Sequence, residues 1–460
     1  MLPLQHLTPE LLFFLFVGAL AVALLIKRPG AGLLLLIALT PVESILRLTF
    51  EYSKAGKLIL TGFTAGVYFL SYAAMPHRPI RYPYLWAQLL FSVSAITATL
   101  ASIVPAESAL GVLQLLVIFS LCYLIAISPL TIETSATMLR LVAWSAGIIA
   151  PLAILQMLFG FEGYLGSVEQ QADAAAGVYD LGNGLFRSAA TFNGSNSAAA
   201  FFGGAFVVAL LHSRAFPETR RLYSALAALV GAALISTFSR GAFLGTFAAV
   251  CLLLPTRRPL VKWTVIGALV AGVGLIFLFP PAGLSVVTRP SQGTLSRLAA
   301  WREALDIIKD QWVTGIGIYG FKPYVELNFP DPNVSRQPHN GVLKAIVEQG
   351  VLGGVAYFVM AYQFARTCYR SMHEEAYSKG EPHLTPRWFV MASIAGVGAC
   401  FFLQELFDAG FVTGGSSLAV LLAVLLGVQC RHLRLETGFA PRRAPVLSLA
   451  SRARARAIQT

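Results

Sequence analysis

Apolar residues in this chain gather into long, nearly unbroken stretches, set apart by short charged loops, from Leu11 to Val428. A helix crossing a bilayer needs about 20 such residues, so the pattern predicts about 12 to 13 membrane spans. Seven fall at Leu11–Ile26, Ala31–Leu46, Leu58–Ala74, Tyr84–Val104, Leu110–Ile127, Leu141–Phe159 and Ser197–Leu211. The others are Leu222–Phe238, Gly241–Leu254, Val261–Phe279, Val351–Phe364, Phe389–Phe407 and Gly415–Val428. Several are shorter than a full span and must extend into their flanks. Ala31–Leu46 is interrupted by Pro41 and Glu43, and the eighth and ninth stretches are parted only near Ser239-Arg240-Gly241. The expected fold is all-α, a polytopic transmembrane helical bundle.

Two inter-span segments are longer than a turn. Gly160–Asn196 is Gly-rich and carries Glu162, Glu169, Asp173 and Asp180. Pro280–Asn340 contains a helix signal: Leu298, Trp301, Leu305, Ile308 and Trp312 recur at helical spacing, while Arg297, Arg302, Asp306 and Lys309 take other positions. A Trp-bearing amphipathic helix between two spans suits the membrane interface, and suits equally a lid packed on the ends of the bundle. Residues 1–430 read as one membrane domain, with no soluble domain large enough to fold alone. Residues 431–460, rich in Pro, Ala and Arg, are expected to be a disordered tail. No internal repeat of the transporter kind is visible.

Composition agrees with the pattern. Hydrophobic residues make up 56% of the chain and charged ones 12%, against roughly 25% charged in a soluble domain. A water-soluble fold could not hide so much apolar surface. The net charge of +12 invites a nucleic-acid reading, but the basic residues sit in alternate loops. Lys27-Arg28, Arg78 with Arg81, Arg214 with Arg220-Arg221, Arg257-Arg258, and Arg366 to Arg387 share one parity with the tail. That is the positive-inside pattern, which assigns these loops and the C-terminus to the cytoplasm and the two long segments to the opposite face. Lys54 and Lys57 fit it poorly. The first ten residues lack Lys and Arg and are not expected to be a secretory signal. None of the five cysteines lies in a long loop, so neither a disulfide nor a zinc site is expected.

Three polar positions stand out on the long-loop face. Arg240, in Thr237-Phe238-Ser239-Arg240-Gly241, puts a guanidinium at the junction of two spans, where a charge is costly and usually functional. Its plainer reading is a side chain that snorkels to the interface. Arg187 precedes an Asn/Gly/Ser cluster that includes Asn193 and leads into a helix, where free N–H groups favour an anion. Alone, that segment would read as an ordinary helix start. His339, in Pro338-His339-Asn340-Gly341, is suited to proton transfer, though a lone histidine is more often structural. Glu405 and Asp408 read first as polar residues at a helix end and second as helpers. Glu348, nine residues past His339 and on the opposite face of a helix, reads as structural.

Taken in order, Arg187 with Thr191-Phe192-Asn193, then Phe238-Ser239-Arg240-Gly241, Trp301 with Gly315-Ile316-Gly317, and His339-Asn340 with Leu343, Glu348, Gly350 and Gly353 resemble the O-antigen ligase and polymerase superfamily. The resemblance covers Arg187 to Phe364; before that the chain is similar only in being hydrophobic. It implies a GT-C-like glycosyltransferase of the bacterial inner membrane. Such an enzyme takes a glycan from undecaprenyl diphosphate at the periplasmic face, without a nucleotide sugar. The acceptor is lipid A–core for a ligase and a second lipid-linked glycan for a polymerase. Position by position, the resemblance makes Arg187 and Arg240 diphosphate-binding and His339 catalytic, with Asn193, Ser239, Asn340 and Arg297 in support.

The chemistry implied is coherent. Two permanently charged guanidinium forks can stabilise a leaving diphosphate in place of a metal, and a histidine can take the acceptor's proton. No cofactor or metal is expected. The rival from another class is a transporter or flippase for an anionic lipid-linked substrate, using the same arginines. It predicts midplane charges and broken helices in matching halves, whereas these candidates lie near one face.

Overall fold

The computed structural model describes residues 33–34, 37–38, 40–42, 82–128, 130–160, 186–192, 194–253, 292–329, 337–377, 385–406, 408 and 417–433. The predicted spans Leu11–Ile26, Leu58–Ala74 and Val261–Phe279, most of Ala31–Leu46, and the tail from residue 434 on lie outside the described residues, whereas Arg431 and His432, expected in the disordered tail, end a helix. Among the described residues every regular element is helical. In chain order these are α1 (Leu85–Leu100), α2 (Pro105–Ile127), α3 (Ile132–Phe159), α4 (Ser195–Ala215), α5 (Arg220–Ser236) and α6 (Arg240–Leu253). They continue with α7 (Gln292–Gln311), α8 (Phe321–Asn328), α9 (Gly341–Tyr377), α10 (Pro386–Gln404) and α11 (Ser417–His432). Five of them (α2, α3, α4, α9 and α10) are long and apolar enough to cross a bilayer, and α1, α6 and α11 are shorter apolar helices. The protein is an all-α polytopic membrane protein.

Helix ends follow local chemistry more than hydropathy. α3 begins at Ile132, ahead of the predicted Leu141, because the Thr131 hydroxyl caps the amide of Thr134 at 3.1 Å. α10 likewise starts behind Thr385, which accepts from the amide of Trp388 at 3.0 Å, with Pro386 at its first position. Capped first turns carry polar residues, so an apolar window overlooks them.

α4 is the central helix, packed against α3, α5, α6 and α10. Its run Ala198, Ala199, Ala200, Gly203, Gly204 is buried and keeps its neighbours close: a Cβ on Gly203 would lie 2.2 Å from the Thr246 hydroxyl of α6. Small residues are what let helices approach where lipid supplies no hydrophobic drive. α9 packs on α1, α7 and α10, and it is two helices in one. At Gly350, φ is +69° and ψ −171°, which breaks the run. The chain at 312–317 closes the gap: the amides of Ile316 and Gly317 donate to the carbonyls of Val347 and Glu348, each at 3.0 Å. The amide of Val351 donates to the Trp312 carbonyl at 2.8 Å.

The amphipathic helix predicted at 294–312 is α7, but its predicted apolar face is not the packed one. Ala300, Ala304 and Ile307 are buried against Ile316, Phe321, Val325 and Val347. Leu298, Leu305 and Trp312 are each more than half exposed, and at 100° per residue they lie on the opposite side. Small side chains dock α7 onto α9, and the bulkier ones are left outward. One face of α7 thus packs on the rest of the protein, and the other leaves Leu298, Leu305 and Trp312 exposed. The five cysteines are buried, and none is joined in a disulfide.

Candidate functional site

The segment 186–192 is tied to two helix ends. The Phe186 amide donates to the Met157 carbonyl and the Ser188 amide to the Ser236 carbonyl, each at 3.0 Å. Buried Gln156 of α3 clasps the turn: its Oε1 accepts from Ser188 Oγ at 2.9 Å and from the Ala190 amide at 2.8 Å, and its Nε2 donates to the Ala190 carbonyl. Arg187 is aimed by this clasp. Its Nε donates to the Thr237 carbonyl at 2.8 Å and its Nη2 to Asn196 Oδ1 at 2.6 Å. Ser239 Oγ donates to the same Asn196 oxygen at 3.0 Å. Arg187, Asn196 and Ser239 thus form one hydrogen-bonded group, with Arg240 next in chain at the start of α6. Asn193 lies outside the described residues.

Arg240 is half-buried, and Arg297 of α7 is near enough for its own positive charge to act on it. Two like charges sharing partly desolvated surroundings disfavour each other, and an anion between them removes that cost.

His339 sits in a turn that is fixed from every side. Its Nδ1 is 2.9 Å from Asp408 Oδ1. Trp301 Nε1 donates to the Pro338 carbonyl at 2.6 Å. Asn340 caps α9 by accepting from the Leu343 amide at 3.0 Å and donates its side-chain N–H to the Leu406 carbonyl at 3.0 Å. The Gly341 amide donates to the Glu405 carbonyl at 2.7 Å. Such bracing holds His339 at φ +45°, a region that bulky side chains avoid.

The two groups are linked. The Asp408 amide donates to the Gln404 carbonyl at 3.0 Å, and the Gln404 side chain donates to the carbonyl of Asn196. On the other side Trp301, which holds Pro338, follows Arg297 by one helical turn of α7. Hydrogen bonds therefore run from Arg187 through Asn196, Gln404 and Asp408 to His339, and α7 sets Trp301 against the His339 turn while placing Arg297 within electrostatic reach of Arg240. Backbone strain marks the same turns. Among the described residues, the non-glycine residues at positive φ are Ala190, Phe238, Tyr319 and His339. Three of them stand in the turns that carry Arg187, Arg240 and His339. Strain of this kind concentrates at functional sites.

Residues 225–358 match the family model described as O-antigen ligase. Over that segment the chain is similar to O-antigen ligases. The match is confined to residues 225–358, and no curated protein matches the chain. The matched segment contains Ser239, Arg240, Arg297, Trp301, His339 and Asn340, whereas Arg187 and Asp408 lie outside it. Among the described residues, no three His, Cys, Asp or Glu side chains gather as metal ligands.

Gln156, Asn196 and Gln404 are residues of this network that the sequence did not single out. The first and third had a signal: a glutamine within an apolar stretch has to find a partner there. Asp408 was read first as a polar helix-end residue and second as a helper, and it is the partner of His339.

Proposed function

We propose that this chain is a metal-independent glycosyltransferase of the bacterial inner membrane. It moves a glycan from undecaprenyl diphosphate to an acceptor sugar hydroxyl at the periplasmic face, as an O-antigen ligase or a polysaccharide polymerase. The observation that carries the reading is the chain of hydrogen bonds joining the Arg187 group to the His339–Asp408 pair.

The step is a displacement at the anomeric carbon. The bond from that carbon to the diphosphate oxygen breaks, and the diphosphate leaves with the electron pair. A new bond forms to the acceptor oxygen, whose proton passes to His339 Nε2. Nε2 is the basic nitrogen because an ionised Asp408 can only accept, which leaves the hydrogen on Nδ1. Arg240, with Arg297 beside it, stabilises the charge developing on the diphosphate. Arg187 holds the turn from which Arg240 springs and adds a second cation. A single displacement of this kind inverts the anomeric configuration.

The test is reconstitution of the purified protein with undecaprenyl diphosphate-linked glycan and, in separate vesicles, lipid A–core or a second carrier-linked unit. Formation of a glycan–acceptor bond that is lost in His339→Ala and in Arg240→Ala supports the reading. Full activity in both variants would overturn the site. Passage of glycan across the bilayer without any new bond would make the protein a flippase instead. The acceptor consumed decides between ligase and polymerase.

A further inference from the structure

The turn that carries His339 depends on one peptide plane. Rotation of the Pro338–His339 peptide is rotation about φ of His339, held at +45°, and the carbonyl of that plane belongs to Pro338. Among the described residues, the indole of Trp301 reaches that carbonyl from another element, its Nε1 donating to it at 2.6 Å. Trp301 is itself anchored, because α7 docks on α9 through Ala300, Ala304 and Ile307. One turn earlier on the same helix stands Arg297, whose charge acts on Arg240.

On the transferase reading above, we infer that Trp301 is a positioning residue for the reaction: its indole N–H clamps the Pro338–His339 peptide and so aims the imidazole at the acceptor hydroxyl. Trp301 touches neither donor nor acceptor in this role. Its effect passes through His339, and that makes a measurable distinction from a tryptophan that only packs. Removing a clamp lowers the turnover of an enzyme with a working base and changes nothing once the base is gone. A packing defect lowers both.

The experiment uses the full chain in the reconstituted transfer assay, with wild type, Trp301→Phe, His339→Ala and the double variant. Trp301→Phe keeps a ring and loses the donor. It is expected to lower kcat roughly tenfold, the effect of one lost hydrogen bond, with the donor KM within about twofold. In the His339→Ala background the same change should have no further effect. Wild-type turnover in Trp301→Phe overturns the inference, and so does a loss that persists undiminished in the His339→Ala background. If Trp301→Phe folds poorly, benzothienylalanine at 301 keeps the bicyclic shape, removes only the N–H, and is read by the same two criteria. A wild-type protein inactive with every carrier-linked glycan offered brings down the transferase reading and this inference together. An active wild type with an indifferent Trp301→Phe brings down this inference alone.

Discussion

The Nδ1 atom of His339 lies 2.9 Å from Oδ1 of Asp408, across 69 residues of chain. His339 opens the first half of α9 and Asp408 follows the end of α10, so their meeting is a product of the α9–α10 packing. Both are mostly shielded, with side chains 26% and 14% exposed. A carboxylate in this position fixes the imidazole tautomer and steadies the ring as it takes up a proton.

Asp408→Asn tests that role with little change of shape. The amide can donate to Nδ1 and so favour the tautomer whose Nε2 carries hydrogen, which cannot accept a proton. Transfer should fall at least tenfold, less than or equal to the 10²–10⁴-fold loss expected for His339→Ala. Initial rates in the reconstituted assay measure it. The double variant should be no slower than His339→Ala, since both residues act on one proton. An Asp408→Asn protein at full rate would leave the pair without a catalytic role.

The two arginines are expected to fail differently. Arg187 bonds to the Thr237 carbonyl and to Asn196 in part-buried surroundings, so Arg187→Ala removes two charge-assisted hydrogen bonds and should cost about 1.5–3 kcal/mol of stability. A thermal melt in detergent should show a fall of several degrees. The turn before Arg240 is held by Thr237 and Ser239, so Arg240→Gln should melt close to wild type while losing transfer by about 10²-fold. Equal melting losses in the two variants would contradict this division of labour.

What the sequence disclosed and what it withheld follow from the range of the forces involved. Hydropathy acts within a span, so α2, α3, α4 and α10 were legible to within a turn or so, apart from their capped starts at Thr131 and Thr385. Arg240 and His339 were legible because a charge or an imidazole at a span end is costly wherever the rest of the chain goes. Asp408 was legible only as a helix-end residue with helper as the second reading, since any helix end carries such residues and only the α9–α10 contact distinguishes it. The docked face of α7 was not legible for a related reason: Ala300 and Ala304 are weak hydrophobic signals, yet small side chains are what close approach requires. The break in α9 was hidden because a glycine in an apolar run does not announce its φ.

That break supplies its own prediction. Gly350 is held at φ +69°, and a Cβ there would lie 2.1 Å from the Val313 carbonyl oxygen. Backbone cannot yield as a side-chain tip can. Gly350→Ala should therefore destabilise the protein by about 2–4 kcal/mol through strain and clash together. The readouts are yield in membranes and the melting temperature in detergent. A wild-type melting curve for Gly350→Ala would mean that α9 can run unbroken through this point.

Lys344 and Glu348 set the last test. Lys344 Nζ is 2.7 Å from Glu348 Oε2, with side chains only 11% and 3% exposed, and the Glu405 carboxylate also acts on Lys344. The ammonium lies over the ring of Tyr319, 5.4 Å from its centroid, which ties the 315–320 loop to the first turns of α9. Lys344→Met takes the cation from among acidic groups that cannot reach water. Breaking such a pair costs about 3–5 kcal/mol, while replacing both partners by apolar residues of similar volume is often neutral. Lys344→Met alone should therefore melt well below wild type, and Lys344→Met with Glu348→Leu should recover part of the loss. Recovery should be fuller when Glu405→Gln is added, since that removes the remaining charge. A single Lys344→Met that melts like wild type would show that these carboxylates are solvated after all.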